Sequence, residues 1–186
     1  MYTQILIAGF GGQGILFAGK FLAYQGLIEG RQISWLPSYG PEMRGGTANC
    51  SVIVADTPVG SPIVSKPDIL AVMNLPSLDR YESEAVPGAK VFVDSTLVER
   101  RLEREDVTPY YIPATKLAKD SGMPSLANMI LMGKLIRETG IVSFKDIRRG
   151  LEKVVSVRHQ DLLELNLKAL SMGYDYKPGT AYQLNP

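Results

Sequence analysis

Gly9, Gly11 and Gly14 stand at G-x-G-x-x-G spacing directly after the apolar run Ile5, Leu6, Ile7 and Ala8. In that context each glycine has a use: Gly9 permits a tight turn, Gly11 lets backbone approach a pyrophosphate, and Gly14 lets the following helix pack close to the strand. The start of that helix would offer unpaired backbone N–H groups to an anion. The plain reading of the same residues is a close strand-to-helix turn with no ligand. A nicotinamide site of this type needs an acid at the end of the second strand to hold the ribose hydroxyls. Here that strand ends in Ser34-Trp35-Leu36, while Glu29 falls in the preceding helix end and Glu42 beyond a proline. NAD is therefore disfavoured. Arg44 suits an additional phosphate, as in NADP or coenzyme A, or serves to anchor its own loop.

Other chemistry is limited by counting. Gly14, Gly19 and Lys20 reproduce G-x-x-x-x-G-K, but residue 21 is Phe, so the hydroxyl that would ligate magnesium is missing and the run falls inside a helix. With one cysteine, Cys50, and one histidine, His159, the chain cannot itself ligate an iron-sulfur cluster, build a Cys/His zinc site or close an internal disulfide. Cys50 alternates with Val52 in a predicted strand and reads as a small buried hydrophobe. His159 reads as a residue near the start of the last helix, with no visible partner for a role as base.

The elements that must position these residues follow from periodicity and punctuation. Strands are predicted at 5–8, 32–36, 49–55, 69–73 and 91–93, with a weaker one at 107–112. Helices are predicted at 14–28, 77–83, 114–121 and 125–138, the first ending at Gly30 and the last two at Gly122 and Gly140. A further helix is expected to open at Ser143 with Asp146 three residues on, and a final one to run over 160–172 and stop at Gly173. Residues 37–46 hold too many glycines and prolines for regular structure and form a long loop, the kind that more often carries function. Residues 174–186 read as a loosely packed tail. Alternating strands and helices imply a Rossmann-like three-layer α/β domain. It has a mostly parallel sheet, helices on both faces and a helical C-terminal part, with the glycine turn at the carboxyl end of the first strand.

At 186 residues, one domain over 1–186 is expected. Apolar residues make up 45% and charged ones 21%, which is the composition of a folding chain, not a disordered one. Net charge is +1 without a block of like charge, against broad nucleic-acid binding. Neither a signal-peptide pattern at residues 1–5 nor an apolar run of membrane-spanning length is present, so the expectation is a cytoplasmic protein with no membrane partner. A mean hydropathy of +0.02 mildly favours apolar surface covered by partners.

Three segments together carry a resemblance. They are Gly9-Phe10-Gly11-Gly12-Gln13-Gly14, then Ser38-Tyr39-Gly40-Pro41-Glu42-Met43-Arg44-Gly45-Gly46-Thr47-Ala48-Asn49-Cys50, and Ala127-Asn128-Met129. With the Gly60-Ser61-Pro62 turn, the Asn74-Leu75-Pro76-Ser77 stretch and Lys168-Ala169-Leu170, the sequence resembles the gamma subunit of 2-oxoacid:ferredoxin oxidoreductases. It is most similar to the 2-oxoglutarate type, less to the pyruvate or branched-chain types and less again to the indolepyruvate type. The resemblance implies oxidative decarboxylation of a 2-oxoacid with coenzyme A, giving an acyl-CoA, carbon dioxide and two electrons for ferredoxin. It also implies that thiamine diphosphate, Mg and Fe-S clusters reside in partner subunits (alpha, beta and a ferredoxin-like delta), since the family's Gly-Asp-Gly thiamine motif is missing here. This chain is then expected to have no catalytic residues of its own and no metal site. Its expected role is coenzyme A handling and subunit contact, with Gly9, Gly11, Gly12, Gln13, Gly14 and Arg44 as cofactor-binding candidates. The alternative from the residues alone is a stand-alone dinucleotide-binding module or a small NADP-dependent oxidoreductase using Tyr39 or Arg44.

Overall fold

The computed structural model describes residues 1–38, 47–156 and 160–178. An unbroken apolar run such as Ile5 to Ala8 points side chains to both sides of a strand, so it must be covered on both sides. The fold meets that demand with a six-stranded sheet. β1 is Tyr2–Phe10, β2 Gln32–Ser38, β3 Thr47–Ala55, β4 Ile69–Val72, β5 Lys90–Asp94 and β6 Thr108–Ile112, in the order β2-β3-β1-β4-β5-β6. β1, β4, β5 and β6 are mutually parallel, whereas β3 runs antiparallel to both β1 and β2. The α/β architecture expected from the sequence is therefore present, with an inserted antiparallel strand that local periodicity does not reveal.

Six helices accompany the sheet: α1 Ile15–Ile28, α2 Leu75–Tyr81, α3 Ala114–Asp120, α4 Ala127–Thr139, α5 Ile147–Val154 and α6 Gln160–Asp175. The two faces are unequal. Ile5, Ile7, Cys50, Val52, Ala71 and Phe92 pack with α1 and α3–α6 in one large cluster. Leu6, Ala8, Ile53, Leu70, Val72 and Val93 form a smaller cluster with Leu78 and Tyr81 of α2, Ala85 and Ala89, and the segments around Val64, Val98 and Val107. Gly30, Gly122 and Gly140 take left-handed conformations at or just past the ends of α1, α3 and α4, as their spacing predicts.

Several boundaries differ from expectation, and at four of them the physical reason is visible. β2 continues through Pro37, which pairs with Cys50 at an edge where a missing N–H is harmless. α2 begins at Leu75 because the Asn74 side chain caps it, accepting from the Ser77 N–H at 2.8 Å, with Pro76 in the first turn. α5 starts at Ile147 behind Asp146, not at Ser143, whose hydroxyl instead accepts from the Lys145 N–H in a short turn. Gly173 does not end α6: it lies within the helix, where a Cβ would sit 1.8 Å from the Ile130 carbonyl oxygen of α4. Gly133 of α4 has the reciprocal contact, 2.0 Å from the Leu170 carbonyl oxygen. The two glycines let α4 and α6 cross backbone to backbone. Tyr174 and Asp175 of the expected loose tail are helical, the Tyr176 carbonyl accepts from buried Lys134 at 3.0 Å, and residues 179–186 lie outside the described residues.

Candidate functional site at the carboxyl edge of the sheet

β1 and β4 are parallel neighbours whose following helices leave to opposite faces. α1 packs on the Ile5 and Ile7 face, and α2 on the Leu6 and Ala8 face. Such a divergence opens a crevice at the carboxyl ends of the two strands, where open α/β sheets take ligands. The glycine turn lies there.

Within the turn, the glycines serve different purposes. A Cβ on buried Gly9 would meet Gln13 Oε1 at 2.6 Å and Ile15 Cδ1 at 2.7 Å, so a side chain there would displace the ends of both. Gly11 and Gly12 are exposed, and Gly12 takes φ +89° with open space around it. Gly14, at φ 73°, is the N-cap of α1 and offers no side-chain cap, and the first turn of the helix holds no acidic residue. The first intrahelical bond runs from the Ala18 N–H to the Gly14 carbonyl at 3.0 Å, so the Ile15, Leu16 and Phe17 N–H groups precede the ladder.

Gln13 proves to be a brace. Its Oε1 accepts from the Phe10 N–H at 2.6 Å and its Nε2 donates to the Met73 carbonyl at 3.1 Å, tying the end of β1 to the end of β4. The backbone here, more than the Gln13 side chain, is what the turn offers a ligand. Arg44, Tyr39 and His159 lie outside the described residues. The strands that lead into the Arg44 loop do end at this edge: Ser38 is paired with Asn49, and Thr47 with Phe10.

Two residues of this edge were not singled out as site candidates from the sequence. Asn128, in the first turn of α4, donates from Nδ2 to the Gly14 carbonyl at 3.0 Å, while its own Oδ1 has no partner among the described residues. Asn74 caps α2 through Oδ1, leaving its Nδ2 and the Ser77 hydroxyl buried and without a partner among the described residues. The Asn-x-Pro-Ser pattern at 74–77 is a readable N-cap signal. The Asn128 contact, 114 residues away in sequence, has no local signal.

Cys50 is fully buried under α1, donating to the Ile15 carbonyl at 3.5 Å, and burial pushes its thiol up to about 12. A lone protonated thiol fits neither cluster ligation nor nucleophilic work. Among the described residues no group of three His, Cys, Asp or Glu side chains could hold a metal, and no helix is long and apolar enough to cross a membrane. A dinucleotide is also poorly served. The strand after α1 is not the neighbour of β1, because β3 lies between them, so the place where a ribose-binding acid belongs is displaced by a whole strand. Phosphate oxygens, by contrast, fit the open N–H groups of the turn and of α1.

Comparison with known proteins extends this picture. A family model described as pyruvate ferredoxin/flavodoxin oxidoreductase matches residues 4–176. The ketoisovalerate oxidoreductase subunit VorA of Methanothermobacter marburgensis is 37% identical over 94% of this chain, and the chain spans only 36% of that relative's length. The 2-oxoglutarate synthase subunit KorC of Methanocaldococcus jannaschii is 36% identical, covering 94% of both chains. The solved gamma subunit of a keto/oxoacid ferredoxin oxidoreductase from Geobacter sulfurreducens superposes with a TM-score of 0.80 at 30% identity, covering 93% of this chain and 96% of its own. The fold alone is shared with 2-oxoglutarate:ferredoxin oxidoreductase from Magnetococcus marinus, solved with 2-oxoglutarate, coenzyme A and succinyl-CoA bound. There the TM-score is 0.82 at 22% identity over 93% of this chain and 30% of that one.

Proposed function

The chain belongs to the pyruvate ferredoxin/flavodoxin oxidoreductase family, and on that premise we propose that it is the gamma component of a heteromeric 2-oxoacid:ferredoxin oxidoreductase. In this reading the assembled enzyme oxidatively decarboxylates a 2-oxoacid to an acyl-CoA and carbon dioxide and passes two electrons to ferredoxin. Thiamine diphosphate, Mg and the Fe-S clusters belong to alpha, beta and ferredoxin-like delta partners. The lone, buried, protonated cysteine supports that division, since this chain has no ligand set for a cluster. Coenzyme A, when bound, supplies the thiol that accepts the acyl group.

The observation that carries the reading is the exposed Gly11-Gly12 backbone and the uncapped start of α1 at the crevice between β1 and β4. Gly9 and Gly14 shape that backbone, Gln13 braces it, and its N–H groups hold the phosphates, with Arg44 as counter-charge. The acid of choice is 2-oxoglutarate, on the likeness of the Ser38 to Cys50 segment. Identities of 37% and 36% to ketoisovalerate and 2-oxoglutarate relatives do not themselves separate a branched apolar substrate from a dicarboxylate.

The test is mild-salt purification of the tagged chain from its source, with mass spectrometry and an absorbance spectrum. Larger partner subunits, brown iron-sulfur absorbance and coenzyme A-dependent acceptor reduction by 2-oxoglutarate are expected. A colourless chain recovered alone that binds nucleotide tightly would overturn the subunit reading in favour of a free-standing module.

A further inference from the structure

Asn128 is 3% exposed, yet one of its two polar atoms has no partner among the described residues. It lies against Gly14 so closely that a Cβ there would be 2.4 Å from Nδ2. A buried amide oxygen left unpaired is unfavourable, so the side chain is held in place by what the nitrogen does. The nitrogen donates to the Gly14 carbonyl, which also accepts the Ala18 N–H at 3.0 Å. Both lone-pair directions of that carbonyl are thereby occupied. The Gly14 carbonyl and the Ile15 N–H belong to one rigid peptide plane and point in opposite directions. Fixing the carbonyl therefore aims the Ile15 N–H outward from the start of α1, a 14-residue helix with neither a capping side chain nor an acid in its first turn.

We propose that Asn128 is a positioning residue that holds the Gly14–Ile15 peptide so that the open N-terminus of α1 points at a phosphate group of the bound cofactor. This rests on the reading that the glycine turn binds phosphate, and it assigns to α4 a part in that site. The specificity follows from polarity. An amide nitrogen must face the carbonyl, whereas a carboxylate of the same shape would repel it and set a negative charge beside the anion.

The test uses the full chain, labelled with nitrogen-15 and titrated with inorganic pyrophosphate. In the wild type the amide signals of Ile15, Leu16 and Phe17 shift on titration. Asn128→Asp weakens binding about tenfold or more, and Asn128→Ala about threefold, with the Ile15 response reduced most. Leu170→Ala, a buried α6 change matched for loss of melting temperature, retains wild-type affinity. Should Asn128→Asp fail to fold, Asn128→Ala against Leu170→Ala decides. Unchanged affinity in the Asn128 variants, or equal loss in Leu170→Ala, overturns the positioning role and leaves the phosphate reading standing. If no amide from Gly11 to Phe17 shifts in the wild type, the phosphate reading falls and the inference with it.

Discussion

Replacing Gly173 by Ala should destabilise the chain although it adds a better helix former to a helix. The added Cβ would sit 1.8 Å from the Ile130 carbonyl oxygen, 2.7 Å from its carbon and 3.0 Å from its Cα. Ordinary contact begins at 3.4 Å, so α4 and α6 would have to separate by the difference, 3.4 less 1.8, or about 1.6 Å. The obstructing atom is helix backbone, near the start of α4, and has no rotamer to escape into. α4 is buried along most of its length, from Ala127 to Ile136, so it cannot retreat without opening the larger core. Overpacking against backbone belongs at the upper end of its usual range, about 3 kcal/mol, against a gain of about 1 kcal/mol in helix propensity, for a net loss of about 2 kcal/mol. For a chain of this length that corresponds to a fall of about 4–8 °C in Tm, read by far-ultraviolet circular dichroism. Gly60→Ala, where nothing lies within 4 Å and no positive φ is required, is the control and should melt as wild type or slightly higher. A Gly173→Ala chain that melts at or above the wild-type temperature would refute the backbone crossing of α4 and α6.

Two further outcomes follow from buried groups. Cys50, with its thiol raised to about 12, should resist iodoacetamide in the native chain at neutral pH and become reactive only across the urea unfolding transition; stoichiometric native labelling would contradict the burial. Asp94 is fully buried, and burial raises its pKa above 3.8 despite bonds from the Thr96 N–H and from the Thr115 N–H and hydroxyl. The folded chain thus holds this proton more tightly than the unfolded one. Its contribution is present in full at and below about pH 3.8 and declines as pH rises through the raised pKa. In urea titrations the stability of wild type minus that of Asp94→Asn should fall over that window, and a difference that grows with pH would refute the assignment.

Much of the site's frame was legible because it is local. Gly9, Gly11 and Gly14 follow an apolar strand at the motif's spacing, and the left-handed glycines at 30, 122 and 140 end helices where a chain without a Cβ is needed. What escaped was non-local. Gly173 and Gly140 look alike in sequence, each a glycine after an amphipathic run, yet Gly140 ends a turn and Gly173 admits a neighbouring backbone. The antiparallel β3 is as apolar as a parallel strand would be, since both of its faces are covered, so its direction leaves no trace in residue type. The motif spacing places Gln13 in the turn but carries no sign that its two amide atoms answer backbone groups at the ends of β1 and β4, one of them 60 residues away.

The pairing of β1 with β3 from Tyr2↔Ala55 to Phe10↔Thr47, and of β2 with β3 from Gln32↔Ala55 to Ser38↔Asn49, has a consequence for how this fold can change. Those ladders fix the register, and a slip of β3 by one residue would carry Cys50, Val52 and Val54 away from α1 and bring Ile53 toward it. A single-residue insertion or deletion inside β3 would do the same to every residue beyond it, so changes of chain length belong outside the paired strands.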